Sequence, residues 1–417
     1  MTFFARTRWL APLVILIPVV AIAAGRPPPT GNRVFDRTVE IVGEKFYSPA
    51  GLPAFYDAVA AADDGLDARS GPAAVDAAIV RVLGALGASH TGRFTRDRID
   101  YYELADVFRF ALRRDMRRMF PPDGTVAYDG VGIATRAIDG RVFVTDVYDG
   151  APAAGAGILV GDEILSVDGK PFDQTWSFRG RSGETAAMRI RRAAGAGPAA
   201  VRVPIERLEP TATFLKAIDA SIRVLVRDGH RIGTVRLWSW TDRQVGDILA
   251  GAIGGGALAD VDGLVLDLRG RWGGAPPDAA ELFVGDAADM RTINRDGDVD
   301  YANQRWRKPL VAIVDEGTRS GMEILAFGLK KNGVPLVGTP TAGAVLAATA
   351  FVLPDDSLLE VAVLDVLVDG ARLEGAPVEP DIAVPFDIRY AAGDDPQFEA
   401  ALAEMAAMLS SGAGSLN

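Results

Sequence analysis

Ser320 is a hydroxyl placed where chemistry is possible. It stands in Asp315-Glu-Gly-Thr-Arg-Ser-Gly-Met-Glu-Ile324, just past the apolar run "PLVAIVD" and at the head of "SGMEILAFGLKK". Two uses fit that position. Ser320-x-x-Glu323 is a capping box, which satisfies two orphan amides at a helix start. Alternatively, a helix N-terminus offers free N–H groups and a positive dipole end. An attacked carbonyl that becomes an oxyanion needs such donors, and Gly321 leaves its amide unobstructed. The segment by itself supports either a cap or a nucleophile.

A nucleophile also requires a base. The chain of 417 residues has no cysteine and two histidines, His90 and His230. Disulfides, thiolate catalysis and Cys-ligated zinc are excluded, and a multi-His metal site is not available. No cofactor or metal is therefore expected. "RDGDVDY" has Asp296, Asp298 and Asp300 in calcium-loop spacing, but Tyr301 and Arg307 stand where such a loop needs glycine and glutamate. It reads as an acidic surface loop. "DLRGRWGG", Asp267 to Gly274, ends an apolar strand in two glycines. The backbone of Gly273 and Gly274 can approach a substrate closely and supply a second oxyanion amide. A net charge of −11 argues against nucleic acid as a partner, since phosphate binding needs a basic surface. A protein or peptide is the expected partner.

These segments must be positioned by a fold. Residues 1–25 read as an export signal or an uncleaved anchor: Arg6 and Arg8 precede an uncharged run from Trp9 to Gly25, and Ala21-Ile22-Ala23 fits a small-x-small cleavage site. An exported, periplasmic or other extracytoplasmic location follows, with membrane contact only through that segment. "RPPPTGNR", 26–33, is a linker. A helical domain is expected over 34–120. There Val75, Ile79, Val82, Leu83 and Leu86 form one stripe ended by Gly87, and Leu104, Phe108, Leu112 and Met116 form another. A β-rich domain spans 127–208. From 210 to 388 strands and helices alternate in α/β order, with a largely parallel sheet. A helical tail, its end disordered, covers 391–417.

Residues 127–208 look like a PDZ domain. The resemblance is carried by Gly130-Val131-Gly132-Ile133, Pro152 to Gly157, Gly161-Asp162-Glu163-Ile164 and Val167-Asp168-Gly169. It implies a site at Gly130, Val131, Gly132 and Ile133 that holds a peptide's terminal carboxylate on backbone amides, the peptide adding as an extra strand.

With "DLRGRWGG", "VDEGTRSGMEI", "LVGTPTAGA" and "LEGAPVEPDIAV", the chain resembles the carboxyl-terminal-processing (tail-specific) serine peptidases. The match is closest to the branch that includes the tricorn core protease. The resemblance covers roughly 34–388 and implies a ClpP/crotonase-like α/β core with Ser320 as nucleophile. One branch of the family takes its base from a lysine in "TxGK". Here the stretch is "TAGA" and Ala344 stands at the lysine position. Lys330 and Lys331 lie about three helical turns beyond Ser320, about 15 Å away. The other branch uses a histidine preceded by serine in the N-terminal region, which maps onto Ser89-His90. His230 reads as a surface residue. That branch completes its relay with a glutamate, matched by Glu374 in Glu374-Gly-Ala-Pro-Val-Glu-Pro-Asp381, where Pro377 replaces the usual glycine. The resemblance thus implies an exported serine endopeptidase with a Ser-His-Ser-Glu relay. Two other readings keep the same fold: a non-catalytic PDZ-containing peptide-binding scaffold, and a carrier of hydrophobic ligands.

Overall fold

The computed structural model describes residues 26–412 apart from 63, 64, 271, 287, 289 and 303. The expected export segment, 1–25, and the last residues of the tail, 413–417, lie outside the described residues. Among the described residues no helix is long and apolar enough to cross a membrane.

The centre of the α/β fold is a six-stranded sheet. Its order is Ile382–Ala383, Leu336–Gly338, Leu310–Val314, Gly263–Asp267, His230–Arg236, Arg223–Arg227. Neighbours run parallel except the last pair. The two middle strands, "GLVLD" and "LVAIV", are buried at every position. That is why they read as continuous apolar runs: a parallel strand is covered on both faces. Leu264, Leu266, Ala312 and Val314 pack with the helices Gln244–Gly254 and Gly321–Lys331. Val265, Val311 and Ile313 point the other way, onto the tail helix Pro396–Ser411 through Ala401, Leu402 and Met405.

Residues 133–204 form a five-stranded antiparallel sheet in the order Ile133–Ile138, Arg141–Val147, Glu163–Val167, Thr185–Arg191, Ala199–Pro204. Ile133–Ile138 is an edge strand. Asp168 and Gly169 take φ of 49° and 76° between Val167 and Lys170, which exchange both backbone hydrogen bonds. This is the two-residue turn that an Asp-Gly pair favours.

The N-terminal helices Arg33–Lys45, Leu52–Ala62 and Pro72–Gly84 share one core with the late hairpin Ala347–Val352/Leu358–Leu364: Phe35, Val42, Ile79 and Val82 meet Leu359 and Val361. Gly92–Phe94 then adds a third strand to that hairpin, with Gly92 opposite Glu360 and Phe94 opposite Leu358. Arg93 pins the junction. Its buried guanidinium reaches Asp76 (2.6 Å), Asp355 (2.5 Å) and Ser357 (3.0 Å).

One helical expectation fails. The stripe Leu104, Phe108, Leu112, Met116 predicts a continuous helix, but the structure gives Ile99–Val107, turns, and then Met116–Met119. Asp106 accepts from Thr211 N (2.7 Å), and Arg109 turns to Asp242 (3.0 Å). The stripe survives, since the four side chains share one cluster and Phe108 N and Leu112 N still bond to Leu104 O and Phe108 O, but the continuous helix does not.

Candidate active site

Ser320 sits where the strand Leu310–Val314 leaves the carboxyl edge of the sheet, the edge at which α/β folds place their ligands. The turn before it is tightly bonded. Gly317 N donates to Asp315 Oδ1 (2.8 Å), and Thr318 Oγ1 donates to Leu268 O (3.0 Å). Ser320 itself has φ 56° and ψ −133°. A non-glycine residue holds such a conformation at a cost of about 1–3 kcal/mol, and only where its surroundings over-determine it. Here Ser320 N is fixed to Ala344 O (2.8 Å), and its carbonyl starts the helix Gly321–Lys331.

The capping-box reading is overturned. The Ser320 side chain caps no amide of its helix. The Glu323 carboxylate instead accepts from Gly343 N (2.7 Å), Ala344 N (2.7 Å) and the Thr341 hydroxyl. The physical reason is that Ser320 N, the amide such a glutamate would return to, already has Ala344 O as its acceptor. Glu323 therefore ties the helix to the 341–344 turn, and the Ser320 hydroxyl has no hydrogen-bond partner among the described residues.

Gly273 lies against it. A β-carbon on Gly273 would fall 2.6 Å from both Ser320 Cβ and Arg319 O. Gly273 has φ 58°, and its carbonyl accepts from Trp240 N (2.8 Å). Gly274 packs on Thr241, and a β-carbon on Gly321 would fall 2.6 Å from Ala275 N. The amides of Gly273, Gly274 and Gly321 donate to no acceptor among the described residues. Free backbone N–H groups beside a hydroxyl are what a developing oxyanion requires.

Ser89, His90 and Glu374 are brought together across 285 positions of sequence. Ser89 N donates to Glu374 Oε1 (3.0 Å), and the Ser89 hydroxyl donates to Glu374 Oε2 (2.9 Å). Ser89 Oγ lies 2.8 Å from His90 Nδ1. These bonds fix the tautomer. A hydroxyl has one proton, and Ser89 gives it to the carboxylate, so Ser89 Oγ must accept from Nδ1–H. The free lone pair of the ring is then on Nε2. Glu374 also accepts from Val345 N (2.9 Å) and Leu346 N (3.3 Å), next to the Ala344 carbonyl that holds Ser320 N. One chain of bonds thus joins His90, Ser89, Glu374 and the backbone at Ser320.

Electrostatics agree with these bonds. Burial works to raise the Glu374 pKa, but hydrogen bonds from Ser89, Val345 and Leu346 outweigh it and hold the carboxyl below its usual range. Burial, and then the Arg319 guanidinium, push His90 down to about 4 against the opposing charge of Glu374. The ring is therefore neutral at pH 7. His90, like Ser320, has positive φ (51°). Pro377 packs on Gly343 without displacing Glu374 from Ser89.

His230 is placed elsewhere. It follows the Asp228-Gly229 turn at the amino end of its strand, opposite the edge that carries Ser320. Ala344 is buried where a lysine would stand, and Lys330 pairs with Asp381 (2.9 Å). Asp296 N and Asp298 N bond to Asn294 Oδ1 in a surface turn; the Asp300 side chain lies outside the described residues.

At the other sheet, three carbonyls of the loop 130–133 are already engaged. Val131 O accepts from Ala153 N (2.9 Å) and Gly132 O from Tyr148 N (3.0 Å). Gln174 bridges the outer edge: its Nε2 donates to Ile133 O (2.9 Å), and its Oε1 accepts from the Thr135 hydroxyl (3.0 Å). A cavity of about 560 Å³ runs from Thr135 and Gln174 to Asp315 and Gly317 in the turn before Ser320.

Three nearby charged residues are assigned to the site by no motif: Arg319, Glu323 and Glu360. Glu323 reads as a cap from its spacing alone. Glu360 leaves one trace, a single charge inside the otherwise apolar "LLEVAVL".

The fold and the site define a class: a PDZ domain joined to an α/β core of the serine-peptidase type. Residues 231–384 match the model of peptidase family S41, and residues 130–192 match that of the PDZ domain. The chain is 24% identical over 306 residues to carboxy-terminal processing protease CtpB of Bacillus subtilis, covering 70% of this chain and 62% of that protein. It thus spans about three fifths of the length of that relative. Among solved structures, a photosystem II D1 C-terminal processing protease superposes with TM-score 0.50 at 20% identity, over 89% of this chain and 99% of that one. The tricorn protease superposes with TM-score 0.50 at 16% identity, over 90% of this chain and 36% of that one. At these identities the two structures support the fold.

Proposed function

We propose that this chain is an exported serine endopeptidase that processes protein substrates, including their C-terminal regions, through a Ser320–His90–Ser89–Glu374 relay. The observation that carries the reading is the Ser89 hydroxyl, bonded at once to Glu374 (2.9 Å) and to His90 Nδ1 (2.8 Å).

His90 Nε2 takes the proton of the Ser320 hydroxyl as Oγ attacks the peptide carbonyl. The amides of Gly321 and of Gly273 or Gly274 hold the oxyanion. His90 then protonates the departing amine, leaving an acyl-Ser320. Water, deprotonated by the same nitrogen, releases the acyl group. Ser89 and Glu374 hold the ring in the Nδ1–H tautomer and stabilise the imidazolium that forms. A peptide strand added at the Ile133 edge, its carboxylate on the loop 130–133, would lead through the cavity toward Ser320. Residues 1–25 would direct export or anchor the chain.

A serine-directed fluorophosphonate probe tests this against a scaffold or a hydrophobic-ligand carrier. Labelling of the wild-type chain, lost in Ser320→Ala and reduced in His90→Ala, is the expected result. No labelling of the wild type would leave a scaffold or carrier.

A further inference from the structure

Glu360 is a carboxylate in an unusual place. It sits in the middle of the strand Leu358–Leu364 and is 5% exposed. It makes no hydrogen bond or ion pair with any described residue. Buried carboxylates are otherwise paired or hydrogen-bonded, because leaving one unpaired is costly. The other buried acids here obey that rule: Glu323 accepts from two amides, and Asp267 is paired with Arg269.

Its surroundings tie it to the segment that carries His90. In register, Glu360 lies opposite Gly92 on one side and Ala350 on the other. Directly opposed residues project to the same face of an antiparallel sheet, with Cα atoms about 4.5–5.5 Å apart. Gly92 is two residues from His90. Leu358 and Ala350, on the Glu360 face, pack with Trp272, which precedes Gly273. Arg319, the residue before Ser320, is the charge that acts on both Glu360 and His90, yet it comes close enough to neither for an ion pair. The residues directly opposite Glu360 are small, Gly92 and Ala350, while Leu358, two positions before it on the same face, pairs with Phe94 and Val352.

We propose that Glu360 is the acidic end of a substrate subsite, receiving the cationic side chain of a lysine or arginine beside the scissile peptide bond. A cation there supplies the partner that the fold withholds. A neutral side chain of equal length leaves the carboxylate unpaired, and buried unpaired groups are what make such sites discriminate. The inference rests on the peptidase reading and adds to it the class of substrate.

The test uses the full chain, wild type and Glu360→Gln. Each is given decapeptide libraries that differ only in lysine, arginine or norleucine at each position, with products read by mass spectrometry. Cleavage is counted per Ser320 labelled by the fluorophosphonate probe. Wild type is expected to cut beside lysine or arginine about tenfold more often than beside norleucine, and Glu360→Gln to erase that ratio. Glu360→Asp, which keeps the charge but withdraws it by one methylene, is expected to retain the preference and shift it toward the longer arginine. Labelled protein whose ratio is the same in wild type and Glu360→Gln overturns the role of Glu360 alone. Wild-type protein that takes no probe and cuts nothing overturns the peptidase reading, and this inference with it.

Discussion

Gly273 and Ser320 touch so closely that the first of them can carry no side chain. A methyl group at 273 would fall 2.6 Å from Ser320 Cβ, and φ there is 58°. Gly273→Ala is therefore expected to lose activity by about 10²-fold or more, because the displaced backbone removes an oxyanion donor. Thermal unfolding should show a loss of about 2 kcal/mol as well, from the left-handed backbone and the clash. Activity near the wild-type value would remove Gly273 from the oxyanion site.

The Ser89 hydroxyl sets the tautomer of His90. Ser89→Ala leaves Glu374 bonded to the three amides of 89, 345 and 346 but frees Nδ1. A loss of about 10²-fold in kcat/KM is expected, with little change in KM and with Ser320 still labelled slowly. Glu374→Gln should lose a similar amount. If Ser89→Ala cleaves peptides at the wild-type rate, the relay is not the route of the proton.

His90, the proposed base, is neutral over an unusually wide range. Because His90 is pushed down to about 4, the group that must be unprotonated is ready throughout neutral and mildly acidic solution. The acid limb of kcat/KM is expected near pH 4 rather than near the ordinary value of about 6.5. Arg319 depresses the pKa and Glu374 raises it. Arg319→Ala should accordingly move the limb to higher pH and Glu374→Gln to lower pH. A limb near 6.5 in the wild type would mean that a different group is titrating.

The Ser320 backbone stores strain, and stability measurements should detect it. Ser320 has φ 56°, a conformation that glycine adopts freely and alanine does not. Both Ser320→Gly and Ser320→Ala are expected to abolish cleavage, but the glycine variant should be more stable than the alanine variant by about 1 kcal/mol. Equal melting temperatures for the two would place the Ser320 backbone in a relaxed state.

Much of the architecture was readable because its cause is local. "GLVLD" and "LVAIV" are apolar throughout since both faces are covered, and Asp168-Gly169 turns where the backbone needs positive φ. Ser89, His90 and Glu374 stand in recognisable motifs, and the structure bonds Ser89 to each of the other two. What could not be read is what depends on distant partners. Ser320 and Glu323 have the spacing of a cap, but the carboxylate is claimed by Gly343 and Ala344, and the amide by Ala344. The stripe through Phe108 keeps its helical period but not a continuous helix, and its neighbours Asp106 and Arg109 bond to Thr211 and Asp242. Glu360 is one charge in a strand, and only the register with Gly92 reveals which groups it faces.

That register has a consequence for synthesis. The segment that carries the imidazole is sewn to a hairpin made near the end of translation, through Gly92 against Glu360 and Arg93 against Asp355. A ribosome must deliver almost the whole polypeptide before the two halves can meet. On the proposed relay, His90 and Ser320 would stay apart on a growing chain until that late hairpin is made, so order of manufacture would do the work of a safety catch.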